Sequence, residues 1–212
     1  MIQKLVWENV KHRPLRTFLS ALLIAIPVTL VLTLTGLSKG MMEDATKRYR
    51  GVGADIVIRP RTSDFLSLSS ATIDERLLAV IRKQPHVTIA TGMVISGPLL
   101  NTIAGVDLNA ISEMSGGMRY VAGGPLRSPR DVIVDAYYAQ EHRTHAGDTI
   151  DLLNSKWRVS GIMEPGKLVR VFVQLPVLQD LTSNTGKVSQ VYVKVDDHNN
   201  IDAAMAGLNK LL

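Results

Sequence analysis

The residues best equipped for chemistry stand together at Glu141-His142-Arg143-Thr144-His145. Two histidines three apart can share a helix face and bind zinc, which would suit a secreted hydrolase built on Glu141, His142 and His145. The order is not H-E-x-x-H, however, no third ligand is indicated, and Gly147 is about to break the helix, so solvated surface histidines are the expectation. Asp131 and Asp135 bracket an apolar strand and read as its solvated ends rather than as a carboxylate pair for acid–base work. The nearest approach to a nucleotide-binding loop, Thr185-Gly186-Lys187-Val188-Ser189, lacks the upstream glycine and has Val where a metal-binding hydroxyl belongs. A turn before a strand explains it. There is no G-x-S-x-G elbow. The chain has no cysteine, which removes disulfides, thiolate zinc sites, Fe–S clusters and a thiol nucleophile together. No enzyme activity, catalytic residue, metal or cofactor is therefore expected.

A different kind of site is suggested by Ser115–Arg130, which holds four glycines and two prolines and reads as a long loop. Its Arg119, Tyr120, Arg127 and Arg130 form a candidate partner-binding surface. Nucleic acid is not the expected partner, because only Tyr120 interleaves the arginines and no recognition helix or stacking motif accompanies them. The whole chain carries a net charge of +5, which permits an anionic partner. With 212 residues, 46% of them hydrophobic, disorder is excluded for most of the chain and one or two domains are expected.

Class is decided by Thr17–Leu37, 21 uncharged and mainly apolar residues. As a helix rising 1.5 Å per residue, that stretch spans about 31 Å, the hydrocarbon thickness of a bilayer. A cleaved signal peptide would have a shorter apolar region and a small-residue cleavage site, which GLSKGMME does not offer. A buried helix apolar on all sides would find little to pack against in so small a domain. Pro27 should kink this helix, and Thr29, Thr33 and Thr35 can return hydroxyl bonds to nearby carbonyls. Ser20, Ala21, Ala25, Thr29 and Gly36 recur near helical spacing, which fits either a helix-contact face or simple exposure to lipid. Ahead of the span, residues 1–14 place Ile2, Leu5, Val6 and Val10 on one helical face, opposite Lys4, Glu8 and Lys11, as in an interfacial helix on the cytoplasmic side.

The elements expected around these features follow in order. The transmembrane helix occupies 15–37 and a stalk helix 38–50, stopped by Gly51 and Gly53. Residues 51–212 form an extracytoplasmic α+β core domain, so the fold class is one N-terminal transmembrane helix followed by a mixed α/β domain. Its strands are expected at Asp55–Pro60, Val87–Ile95, Leu99–Val106, Asp131–Asp135, Asp148–Leu153, Trp157–Met163, Val169–Leu175 and Val188–Val195. Helices are expected at Ser70–Gln84, after Asp107, at Ala136–Arg143, from Pro176 to near Leu181, and at Ile201–Leu212.

Several phrases, in this order, resemble the MacB-like and FtsX-like permeases of ABC transporters. ENVKHRPLRTFLSALLIAIPVTLVLTLTGLSKGM resembles the family's start, and GADIVIRP its first extracytoplasmic strand. IDERLLAVIRKQPHV resembles the following helix and strand. DVIVDAYYAQEHRTHAGDTIDLLNSKWRVSGIME and VFVQLPVLQDLTSNTGKVSQVYVKVDD resemble the later and closing blocks of a MacB-like periplasmic core domain.

The resemblance implies a permease subunit in a bacterial cytoplasmic (inner) membrane, dimerising with a second permease subunit and working with a cytoplasmic ABC ATPase. Membrane lipid and a periplasmic partner protein are the further partners it implies. ATPase-driven motion would pass through the membrane helix to the extracytoplasmic domain and move a lipophilic or protein cargo. Such permeases carry three further spans after this domain, so the chain is expected to be either a fragment or a natural single-span form. The alternative function is a single-span anchored binding or adaptor module without ATPase coupling.

Overall fold

The computed structural model describes residues 14–60, 72–97, 102–167 and 169–211, with side chains at 44, 45 and 47–49 outside the description. Residues 1–13 of the expected interfacial helix lie outside the described residues. The chain divides between Thr46 and Lys47 into two compact units.

Helix α1 runs from Pro14 to Arg50, 37 residues, about 55 Å at 1.5 Å per residue. Proline at its first position costs nothing, since that N–H has no helical acceptor. Among the described residues it is the one helix long and apolar enough to cross a membrane, and its apolar side chains are exposed rather than packed in protein. Pro27 sits inside it and cannot donate to the carbonyl four residues earlier, that of Leu23. Thr33 donates its hydroxyl to the Thr29 carbonyl at 2.7 Å and Thr35 to that of Val31 at 2.8 Å, as expected of hydroxyls in an apolar helix.

The larger unit is built on a mixed sheet, nine-stranded among the described residues. In chain order, its elements start with β1 (Ile56–Ile58), β2 (Ile73–Asp74), α2 (Arg76–Ile81), β3 (Val87–Ser96), β4 (Ile103–Val106) and α3 (Leu108–Met114). Next come β5 (Tyr120–Gly123), β6 (Asp131–Asp135), α4 (Ala136–His142), β7 (Thr149–Leu152), β8 (Ser155–Met163) and β9 (Val171–Gln174). The chain closes with α5 (Leu175–Leu181), β10 (Lys187–Val188), β11 (Gln190–Val195), a 3₁₀ turn and α6 (Ile201–Asn209). The strand order is β1-β11-β3-β4-β9-β6-β8-β5, with β7 also on β8 and a separate β2–β10 pair. β4–β9 and β6–β8 run parallel, and the remaining pairs are antiparallel.

Both faces of this sheet are covered, and strand alternation assigns the side chains. Val132, Val134, Val171, Val173, Val191 and Val193 point to one face, where α2, α4, α5 and α6 contribute Leu78, Ile81, Tyr138, Leu175, Leu178 and Leu208. Ile133, Phe172, Tyr192, Met93 and Ala104 point to the other, covered by Ile111 and Met114 of α3 and by Val52, Met118, Tyr120 and Leu126. Burial on both faces explains why central strands such as β6 read as unbroken apolar runs.

Several expected elements differ from those observed. Ser70–Gln84 is not one helix: Ile73 pairs with Val188, and Asp74 then accepts the Arg76 N–H at 2.8 Å, so α2 starts late. The expected strand at Val188–Val195 breaks at Ser189, whose N–H goes to the Met93 carbonyl and whose hydroxyl accepts from Ile95. The Leu99–Val106 strand begins, within the described residues, at Ile103. The last helix ends at Asn209, and its buried stripe contains Ala204 and Leu208, while Met205 is exposed.

Gly53 shows why the turn after α1 needs glycine. Its φ is +77°, and a Cβ there would run into the Met114 carbonyl at the end of α3.

Candidate functional site

Ser115–Arg130 is not the free loop its composition suggests. Tyr120–Gly123 forms β5, antiparallel to β8, with Tyr120 opposite Met163 and Gly123 opposite Gly161. Glycine is required on both strands because a Cβ on Gly123 would meet the Ser160 carbonyl and one on Gly161 the Gly124 carbonyl. Met118, Tyr120 and Leu126 pack against the sheet's second face, so these three side chains of the segment belong to the core's edge. Composition hid this, since glycines spaced for close backbone approach read as turn residues.

The four residues singled out on the segment therefore differ in role. The Tyr120 ring is half-buried, and burial pushes its phenol above the usual value. Arg119, Arg127 and Arg130 are exposed. Arg130 lies over the Trp157 ring, its guanidinium carbon 5.4 Å from the centroid, a cation–π contact on one of the largest core side chains. Trp157 in turn donates its Nε1–H to the Leu152 carbonyl at 2.9 Å. The Arg127 backbone N–H donates to Asp131 at 2.9 Å.

Asp131 and Asp135 are not solvated strand ends. Asp131 is 1% exposed. One carboxylate oxygen, Oδ2, accepts the N–H groups of Arg127 and Ser128, both at 2.9 Å. Arg158 forks onto the same carboxylate through Nε and Nη2 at 2.9–3.0 Å. Burial alone would raise this carboxyl's pKa; the Arg127 N–H, the Arg158 guanidinium and the Ser128 N–H outweigh it and hold the pKa below the ordinary value. Asp135, 2% exposed, caps α4 by accepting the Tyr138 N–H at 2.7 Å. A strand ending in Asp before a helix carries this signal in the sequence.

The two histidines are held separately. His142 stacks on Tyr138, ring centroids 4.0 Å apart, and its Nδ1 lies 3.1 Å from the Tyr138 carbonyl. Arg143 ends the helix with φ +51°, and His145 beyond it pairs with Asp148 at 3.5 Å. Glu141 pairs with Arg170 at 2.9 Å. Among the described residues, no group of three or more His, Asp or Glu side chains is arranged to hold a metal ion. The Thr185–Lys187 segment forms the turn into β10, with Gly186 at φ +73°.

The fold is shared with solved transporter domains. The periplasmic region of MacB from Actinobacillus actinomycetemcomitans aligns with a TM-score of 0.59 at 16% identity, covering 76% of this chain and 84% of that one. The extracellular domain of the noncanonic ABC-type transporter YknZ from Gram-positive bacteria aligns with a TM-score of 0.54 at 14% identity, covering 70% and 86%. No curated protein matches the sequence. The family described as MacB-like periplasmic core domain matches residues 17–211, beginning inside α1 and running almost to the end of α6. By that match, together with its long apolar helix and two-faced mixed sheet, the chain belongs to the MacB-like periplasmic core domain family of ABC transporter permeases.

Proposed function

We propose that this chain supplies the first membrane helix and the extracytoplasmic core of an ABC-type permease in a bacterial inner membrane, and that it relays motion from a cytoplasmic ATPase to a lipophilic or protein cargo. The observation that carries this reading is the family match, which takes in the apolar helix and the sheet domain as one continuous unit. The named neighbours are domains of an ABC-type transporter and of MacB, which supports the transport class. In this reading α1 is the transmitting element, and Pro27, without its N–H, is the point where the helix bends. The exposed Arg119, Arg127 and Arg130 belong to a surface turned toward other proteins or ligands. A second permease subunit completes the membrane portion.

The test is purification of the protein from its native membrane in mild detergent, followed by assay of the complex for ATP hydrolysis. The expected result is a co-purified ATPase whose turnover is stimulated by cargo, with Pro27→Leu reducing cargo movement per ATP hydrolysed. Absence of any ATP-hydrolysing partner from an otherwise intact complex overturns the proposal and favours a single-span anchored binding module.

A further inference from the structure

A cleft of about 350 Å³ opens between the β5 end and the β8 strand, lined by Gly123, Gly124, Pro125 and Arg127 on one side and Gly147, Arg158 and Ser160 on the other. Nearly every hydrogen-bonding group along it is already used. The Gly124 N–H donates to the Ser160 carbonyl, the Gly147 N–H to that of Val159, and the Ser160 hydroxyl to that of Val132. Asp148, next to Gly147, accepts the His145 N–H and pairs with its ring. Among the described residues, the side-chain donors left over along it are the Arg127 guanidinium and Nη1 of Arg158.

Arg158 is also held in place. Its Nε and Nη2 grip a carboxylate that is 1% exposed, while the arginine side chain itself is 57% exposed. A guanidinium anchored from behind and open in front loses little side-chain freedom on accepting a ligand, which is the condition for a weakly charged site to bind. The Asp131 charge neutralises one arginine, and the Arg127 charge has no ion-pair partner among the described residues.

We propose that this cleft binds a phosphate-class oxyanion. A carboxylate is best met by the two parallel N–H groups of one guanidinium fork, and the Arg158 fork is already closed on Asp131. What remains are the whole Arg127 guanidinium, a free fork on one wall, and Nη1 of Arg158 on the other. A phosphate held by the Arg127 fork keeps further oxygens for Nη1 of Arg158, whereas a carboxylate held there has both of its oxygens already engaged. The glycines at Gly124 and Gly147 leave the walls without side chains in the way, since a Cβ at either would meet nothing within 4 Å. The inference does not depend on coupling to an ATPase.

The experiment is a ³¹P NMR titration of inorganic phosphate with the full chain in dodecyl maltoside, a detergent without phosphorus, at constant ionic strength. A parallel arm uses dihexanoyl phosphatidylglycerol below its micelle concentration. Saturable line broadening is expected, and the tighter of the two probes identifies a free anion or a lipid headgroup as the source. Arg127→Gln, at an exposed side chain that leaves the fold intact, should weaken binding about tenfold, the loss of one charge-assisted contact. Lys156→Gln, an exposed cation outside the cleft, should leave the affinity within about twofold. Absence of saturation, equal binding by the Arg127→Gln protein, or equally effective competition by acetate would each overturn the proposal.

Discussion

Replacing Asp131 by Asn changes one atom of the side chain and reverses the hydrogen-bond character of that atom. In the native protein Oδ2 accepts two backbone N–H groups, and Arg158 closes its fork on the same carboxylate. An asparagine amide must aim its NH₂ either at the Arg127 and Ser128 N–H groups or at the Arg158 guanidinium, donor against donor in both cases. Each bond to a charged group contributes about 1.5–3 kcal/mol, and two are lost. Arg158 recovers part of this loss by turning into water, because its side chain is 57% exposed. The net destabilisation is therefore about 4 kcal/mol, within the range for breaking one partner of a buried pair. For a domain of this size that corresponds to a fall in Tm of roughly 8–16 °C. Thermal unfolding of the full chain in detergent, followed by circular dichroism, reads it directly.

The pH dependence supplies an independent check on sign. The Asp131 pKa is lowered in the folded state, so its ionised form contributes stability that is fully present above about pH 4, the unfolded value, and is lost as pH falls through the folded value. The gap between wild type and Asp131→Asn should be constant from pH 7 to about pH 5 and should narrow below about pH 4. A shift under about 1 kcal/mol at pH 7, or a gap that widens in acid, would refute the reasoning.

Gly53→Ala should destabilise by more than about 1 kcal/mol, because it adds a Cβ against the Met114 carbonyl to the cost of a left-handed backbone; denaturant unfolding reads this, and an unchanged midpoint contradicts it. Trp157→Ala should cost about 3–5 kcal/mol through the cavity it leaves, measured by the same unfolding curves. Arg130→Ala, by contrast, removes only the cation over that ring and should cost about 0.5–1 kcal/mol.

The membrane helix and the central strands were legible in the sequence because each rests on a local pattern. Thr17–Leu37 is apolar on all sides, and DVIVD is apolar across both faces of its strand. What escaped depended on distant residues. Nothing local in DVIVD says that Arg158, 27 residues on, will bind Asp131, so the carboxylate read as solvated. α2 starts later than its pattern predicts because Ile73 is claimed by Val188, far along the chain. β5 is hidden in the sequence because the residues that let it approach β8 closely are glycines, whose usual signal is a turn. Of the candidate residues Arg119, Tyr120, Arg127 and Arg130, the pattern distinguishes neither the half-buried tyrosine nor the roles of the three exposed arginines. The charge balance that singles out Arg127 required the whole Asp131 arrangement.

The sheet's borders carry one more consequence. Among the described residues, it ends on one side in the three-residue β1 and on the other in the four-residue β5 and β7. β5 is bulged between Tyr120 and Ala122, and Asp151 stands on β7. Proteins anchored in a membrane meet one another in two dimensions at high local concentration, where a long flat border would recruit the neighbour's border and grow into chains. Short, bulged and charged borders cannot propagate in that way. Crowding in the plane of the membrane is thus tolerated without edge-to-edge aggregation.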